Sequence, residues 1–209
     1  MEHLRLWAHF GLVEPDRPGI SPVPTYLWGE SGCGKSHLLR AAAALLADRG
    51  AAIGWLDAQT VPTKPFNEEW AAVIMDDVHL YDAEQQRLAF NWFVNAMAPP
   101  SGPARGVLAA GVLPPSDLRL REDLRSRLGW GEIFHLQLPD EDERRTVLRQ
   151  EAGARGIVLA EDVADYMLNR FSRDLGSLMQ LLDHLDGYAL RTRRSLTIPL
   201  IRSMLENDA

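Results

Sequence analysis

The stretch Gly29-Glu30-Ser31-Gly32-Cys33-Gly34-Lys35-Ser36 sets glycines, a lysine and a hydroxyl side by side in the spacing G-x-x-x-x-G-K-[ST]. Glycines at these intervals let consecutive backbone N–H groups curl around a phosphate. A helix that follows turns the positive end of its dipole toward the same anion. In that chemistry Lys35 reaches the terminal phosphates of ATP or ADP, and the Ser36 hydroxyl ligates Mg2+. The loop from Gly29 to Ser36, with His37 beside it, forms the nucleotide-binding surface. The alternative is a chance glycine-rich turn, which a strand before and a helix after argue against. Cys33 occupies a position where side-chain identity is free and reads as incidental. Further on, the apolar run Ala71-Ala72-Val73-Ile74-Met75 ends in Asp76-Asp77. A magnesium-dependent nucleotide site needs acids there: Asp76 to hold Mg2+ together with Ser36, and Asp77 to orient or deprotonate an attacking water. Capping of the next turn is the other role open to such a pair.

These groups need a scaffold, and hydropathy spacing supplies one. Thr25-Tyr26-Leu27-Trp28 reads as a buried strand, followed after the loop by a helix from His37 to Asp48 that Arg49-Gly50 closes. Further strands are predicted at 52–56, 71–75, 106–111 and 132–138. Residues 82–97 have helical spacing with Phe90, Phe93, Val94 and Met97 on one side, and a short helix is expected over 116–127. Continuous apolar strands alternating with helices imply a parallel sheet covered on both faces. After Pro139 only helical segments follow, at 140–152, 161–171, 173–192 and 198–206. Asp140 with Glu143, and Thr197 before Pro199, are helix starts. The expected fold class is α/β: a P-loop NTPase parallel-sheet core (24–138) with a small all-helical lid (139–209), preceded by a lead segment (1–23).

Composition narrows the function classes. The chain has 209 residues, 29 acids and 22 bases, a formal charge of −7 and one cysteine. Among the bases only Lys35 and Lys64 are lysines; the rest are arginines. An acidic chain is poorly suited to nonspecific DNA binding, which depends on neutralising phosphates. One cysteine makes neither an internal disulfide nor a multi-thiolate zinc site, which points to a reducing compartment. With no long apolar run and no signal-peptide pattern at the start, a cytoplasmic location without a membrane span is expected.

Later segments carry a resemblance. Asp123-Leu124-Arg125-Ser126-Arg127-Leu128-Gly129-Trp130-Gly131 is similar to the arginine-finger segment of the DnaA initiator family of AAA+ proteins. The run 106–110 and the double proline Pro114-Pro115 resemble what precedes that segment in the family, and 172–178 resembles its second sensor, with Arg173 as the arginine. The stop shortly after Leu196-Thr197-Ile198-Pro199-Leu200-Ile201 is similar to the Hda branch, the short DnaA homologues. The resemblance implies regulation of replication initiation. The chain would bind ATP or ADP with Mg2+, dock on the DNA-loaded sliding clamp and promote hydrolysis of DnaA-bound ATP. Arg127 would be a catalytic finger offered in trans, and Arg173 would touch nucleotide in cis. The clamp-binding peptide of that branch lies at the extreme N-terminus, and His3, Leu4, Leu6 and Trp7 resemble it, with packing on the chain's own core as the alternative. A homodimer stays open.

Two departures qualify the resemblance. Where the family carries a polar first sensor, this chain reads Ala110-Gly111-Val112-Leu113, so weak hydrolysis in cis is expected. The segment before the loop is also short. The competing reading is a DnaC-like helicase loader or an autonomous DNA-stimulated ATPase. It calls for a basic DNA-facing surface, and bases are in excess on neither side of residue 138.

Overall fold

In the computed structural model the residues described are 22–61, 65–171, 175–192 and 196–207. They divide into two compact units, one of residues up to 30 and 34–137, the other of 31–33 and 138 onward.

The first unit is built on five strands: β1 (Thr25–Trp28), β2 (Ala52–Leu56), β3 (Trp70–Met75), β4 (Gly106–Gly111) and β5 (Glu132–His135). All pairings are parallel, in the order β2-β3-β4-β1-β5. Alternation along the strands divides the core. Tyr26, Val73, Met75, Val107 and Ala109 face one side, against Trp92 and Phe93 of α2 (Ala83–Met97) and Leu124 and Leu128 of α3 (Glu122–Leu128). Leu27, Ala72, Ile74, Leu108 and Ala110 face the other, against Leu39, Ala42 and Leu46 of α1 (Lys35–Ala47). Truncating a fully buried residue such as Leu39 to alanine removes about 2–5 kcal/mol. Trp28 stands level with both Gly111 and His135 across the sheet. The chain after β1 crosses to the far edge at β2 and returns through β3 and β4, and β5 then joins on β1's other side. Here the strand order reverses, the point at which open α/β sheets bind ligands in the crevice beyond their strand ends.

Two expected elements are shorter than their sequence suggests. β5 ends at His135 because its neighbour β1 leaves the sheet at Gly29; the last bond across is Leu136 N–H to Trp28 O at 2.7 Å. The helix expected over 116–127 is a 3-10 turn (Pro115–Asp117), an extended link and then α3. Leu118 is drawn into the core, and the Arg121 N–H is taken by the Gln86 Oε1 at 2.9 Å, so the link spends its groups on tertiary partners.

The second unit holds α4 (Glu141–Ala154), α5 (Glu161–Arg170), α6 (Leu175–Thr192) and α7 (Ile198–Asn207). Leu148, Ala152, Val163, Met167, Leu178, Leu182, Leu185, Ile201 and Met204 form its core at helical spacing. Asp140 starts α4 with a capping box, accepting from Glu143 N–H while the Glu143 carboxylate takes the Asp140 N–H. Arg155 ties α4 to α6 through Asp183 at 2.8 Å, and Arg145 bonds Asp165 of α5. No helix among the described residues is long and apolar enough to cross a membrane.

Candidate functional site

β1 delivers the chain to the crevice at Gly29, and α1 begins directly after Gly34. Gly32 and Gly34 have φ of +83° and +97°, a left-handed backbone that side-chain-bearing residues rarely adopt. No side chain caps α1, so the first N–H groups of the helix are presented to the loop. Lys35 is buried, and its ammonium donates to the carbonyls of Gly29 and Glu30, both at 2.8 Å. Glu30, Ser31 and His37 are exposed, and Cys33 is buried.

β3 brings its acids to the same end of the sheet. Asp76 is 4% exposed; its amide donates to Leu56 O at 2.8 Å, and its carboxylate takes the Ser36 hydroxyl and the Asp77 N–H. Burial pushes the Asp76 carboxyl above the ordinary carboxylate range. The like charge of Asp77 adds to the rise, which the Ser36 hydroxyl bond, the Asp77 amide and the Arg40 charge oppose. Asp77 is the only non-glycine among the described residues with positive φ, at 51°, and its half-exposed side chain caps nothing. His79 Nδ1 lies 4.0 Å from Asp77 Oδ1 and has no hydrogen-bond partner. Burial holds His79 below its ordinary value, against the upward pull of Asp77. Sequence reading missed His79; its spacing two residues after the acid pair was the available signal.

Ser36, Lys35, Asp76 and Asp77 thus meet at one strand end, and the set suits a nucleoside polyphosphate with a hard cation. The glycines hold the loop in its curl, and a hydroxyl already bonds a buried carboxylate. Among the described residues no three His, Cys, Asp or Glu side chains gather into a metal cage. A Mg2+ here would therefore draw on Ser36, Asp76 and the phosphates themselves.

At the end of β4, where the chain carries no polar side chain, the packing leaves little room for one at Gly111. The Tyr26 hydroxyl donates to Leu113 O at 2.9 Å, and a Cβ on Gly111 would collide with that hydroxyl. The tyrosine occupies the space a side chain at 111 would need.

Arg127 lies near the end of α3. Its guanidinium carbon is 5.1 Å from the centre of the Trp130 ring, a contact worth about 0.5–1 kcal/mol at an exposed site. The two line an open pocket of about 420 Å³ with Phe90, Asp123 and Ser126. Arg173, like His3, Leu4, Leu6 and Trp7, lies outside the described residues.

Residues 140–205 match the family model of the Hda lid domain. The lid segment of this chain is thus similar to that of Hda proteins. Over 97% of its length the chain resembles domain III of the Thermotoga maritima replication initiator DnaA, with a TM-score of 0.71 and 18% identity, and it spans 91% of that domain. It also resembles AMPPCP-bound DnaA from Aquifex aeolicus (TM-score 0.61, 18% identity, 87% of this chain) but spans only 59% of that longer protein. The Thermotoga maritima RuvB branch migration motor resembles it with a TM-score of 0.64 at 14% identity, over 99% of this chain and 68% of that one. These likenesses place the fold: an AAA+ P-loop core, here joined to a lid of the Hda type.

Proposed function

We propose that this Hda-like chain binds ATP or ADP with Mg2+ in its phosphate loop and regulates initiation of DNA replication. It does so by promoting hydrolysis of DnaA-bound ATP together with the DNA-loaded sliding clamp. The observation that carries the reading is Arg127, a guanidinium held at the surface on an aromatic ring. Its arginine, offered to a nucleotide on another protein, would offset charge building on the γ-phosphoryl group. That effect is worth about 10³–10⁵ in rate in other NTPases.

The chain's own nucleotide acts mainly as a conformational ligand. With nucleotide bound, Lys35 would exchange the Gly29 and Glu30 carbonyls for the phosphates, Ser36 and Asp76 would hold Mg2+, and Asp77 would orient water. With Tyr26 filling the place of a polar sensor at Gly111, turnover in cis is slow. Arg173 couples the lid to that nucleotide, and His3, Leu4, Leu6 and Trp7 engage an apolar pocket on the clamp.

Phosphate release from ATP-loaded DnaA, measured with clamp, DNA and this protein, tests the reading. Stimulation is expected only in the complete mixture, and Arg127→Ala should abolish it while binding of a fluorescent ATP analogue persists. Stimulation that survives Arg127→Ala removes the finger assignment. DNA-stimulated turnover by this chain alone would favour a helicase-loader role instead.

A further inference from the structure

Arg127 differs from Arg87 and Arg121 in what it touches. Arg87 pairs with Glu84 at 2.6 Å and Arg121 with Asp123 at 2.7 Å. Arg127 has no ion pair to a described carboxylate and rests on Trp130. The acid lining the same pocket is already engaged: Asp123 accepts from Arg121 through Oδ2 and from the Leu124 N–H through Oδ1, each at 2.7 Å. The Ser126 hydroxyl is likewise spent, on Glu122 O.

Trp130 is itself 60% exposed, so packing in the chain's own core does not account for it. The backbone around it is pinned. Trp130 N–H donates to Arg127 O at 3.1 Å, and Glu132 N–H donates to Pro24 O at 2.9 Å. Gly131 passes so close to Pro24 O that a Cβ there would collide with it.

We propose that Trp130 is a positioning residue for Arg127, an inference that rests on the trans-acting role above. A carboxylate in the ring's place would orient the guanidinium equally well but would cancel the charge a phosphoryl group needs. The indole face restrains the side chain and leaves its charge uncompensated. The Arg121–Asp123 pair serves the same end by keeping the pocket's acid away from Arg127. The acceptor this arrangement suits is an anionic polyphosphate presented by a second protein.

The test uses the full chain carrying Trp130→Ala, Trp130→Phe, Trp130→Gln or Trp130→Glu, with maximal stimulated rate and half-saturating concentration read separately in the DnaA hydrolysis mixture. Trp130→Ala should lower the maximal rate about fivefold with little change in half-saturation, and Trp130→Phe should recover most of it. Trp130→Glu should fall well below Trp130→Gln, because only the acid neutralises Arg127. A raised half-saturation with an unchanged maximal rate overturns the proposal, as does equal loss in the Gln and Glu variants.

A second readout needs no partner. The Nε–Hε resonance of Arg127, assigned against Arg127→Ala, should show a ring-current shift that Trp130→Ala removes. A resonance that does not move on loss of the ring overturns the proposal even if DnaA hydrolysis responds. Absence of stimulation by the unmutated protein would instead sink the trans-acting reading, and the Arg127 resonance would still decide the platform.

Discussion

At the scale of single residues, Asp76 shows a site working against the stability of its own fold. Burial first, and then Asp77, raise its carboxyl above the ordinary value, so the folded chain favours the protonated acid. The sign follows. As pH climbs from the ordinary carboxylate value of about 3.9 through the raised folded value, ionisation takes stability away. Asp76→Asn keeps one acceptor oxygen for the Asp77 N–H and turns an NH2 donor toward the Ser36 hydroxyl oxygen, while removing that cost. It should raise the melting temperature of the nucleotide-free chain at pH 7 by roughly 2–4 °C, and by less at pH 4. The same change should weaken Mg2+-dependent nucleotide binding. Calorimetry at the two pH values checks the first effect and nucleotide titration the second; equal melting temperatures at pH 7 would show that Asp76 carries no such burden. The acid pair and the lysine were legible in sequence because their order along the chain is the motif. The Gly111–Tyr26 contact was not, since its partners lie on strands paired across the sheet and far apart in sequence.

At the scale of elements, the start of α2 does more than begin a helix. Gln85, 4% exposed, closes the capping box by accepting from the Asp82 N–H at 3.0 Å. Its amide also donates to the carbonyls of Asp57, Ala58 and Thr60 at 3.2, 3.0 and 3.1 Å. One side chain therefore ties the loop after β2 to a helix packed on the face of the sheet. Asp57 stiffens the same loop from within. Burial works to raise its carboxyl, but bonds from Thr60, Trp55 and the amides of Gln59 and Thr60 outweigh it and hold it low. Gln85→Leu leaves three carbonyls unmet and should cost about 2–4 kcal/mol in denaturant unfolding. Hydrogen exchange at Gln59 and Thr60 should rise in step. Unchanged exchange there would mean the loop holds without Gln85. The box was readable from Asp82 and Gln85 in sequence, whereas the three long-range acceptors were not, because a side chain with spare donors gives no hint of which loop will reach it.

For the whole molecule, the charge of −7 predicts how it meets DNA. Lacking a surplus of bases to release counterions, the chain alone should show no measurable binding to duplex DNA at about 0.15 M salt, where basic proteins bind nonspecifically at about 10⁻⁴–10⁻⁶ M. Fluorescence anisotropy with a labelled duplex checks this, and steeply salt-dependent binding would contradict it. The sequence alone determined the phosphate loop, the acid pair, the parallel α/β pattern and the change to an all-helical segment after Pro139. Each of these is written in contiguous residues or in a local hydrophobic period, and the covalent chain preserves both. Only the tertiary structure decided the strand order, the early end of β5, the broken helix before α3, the tyrosine that excludes a sensor side chain and the aromatic seat of Arg127. These depend on which surfaces meet across the sheet and on where backbone donors find partners, and packing settles both.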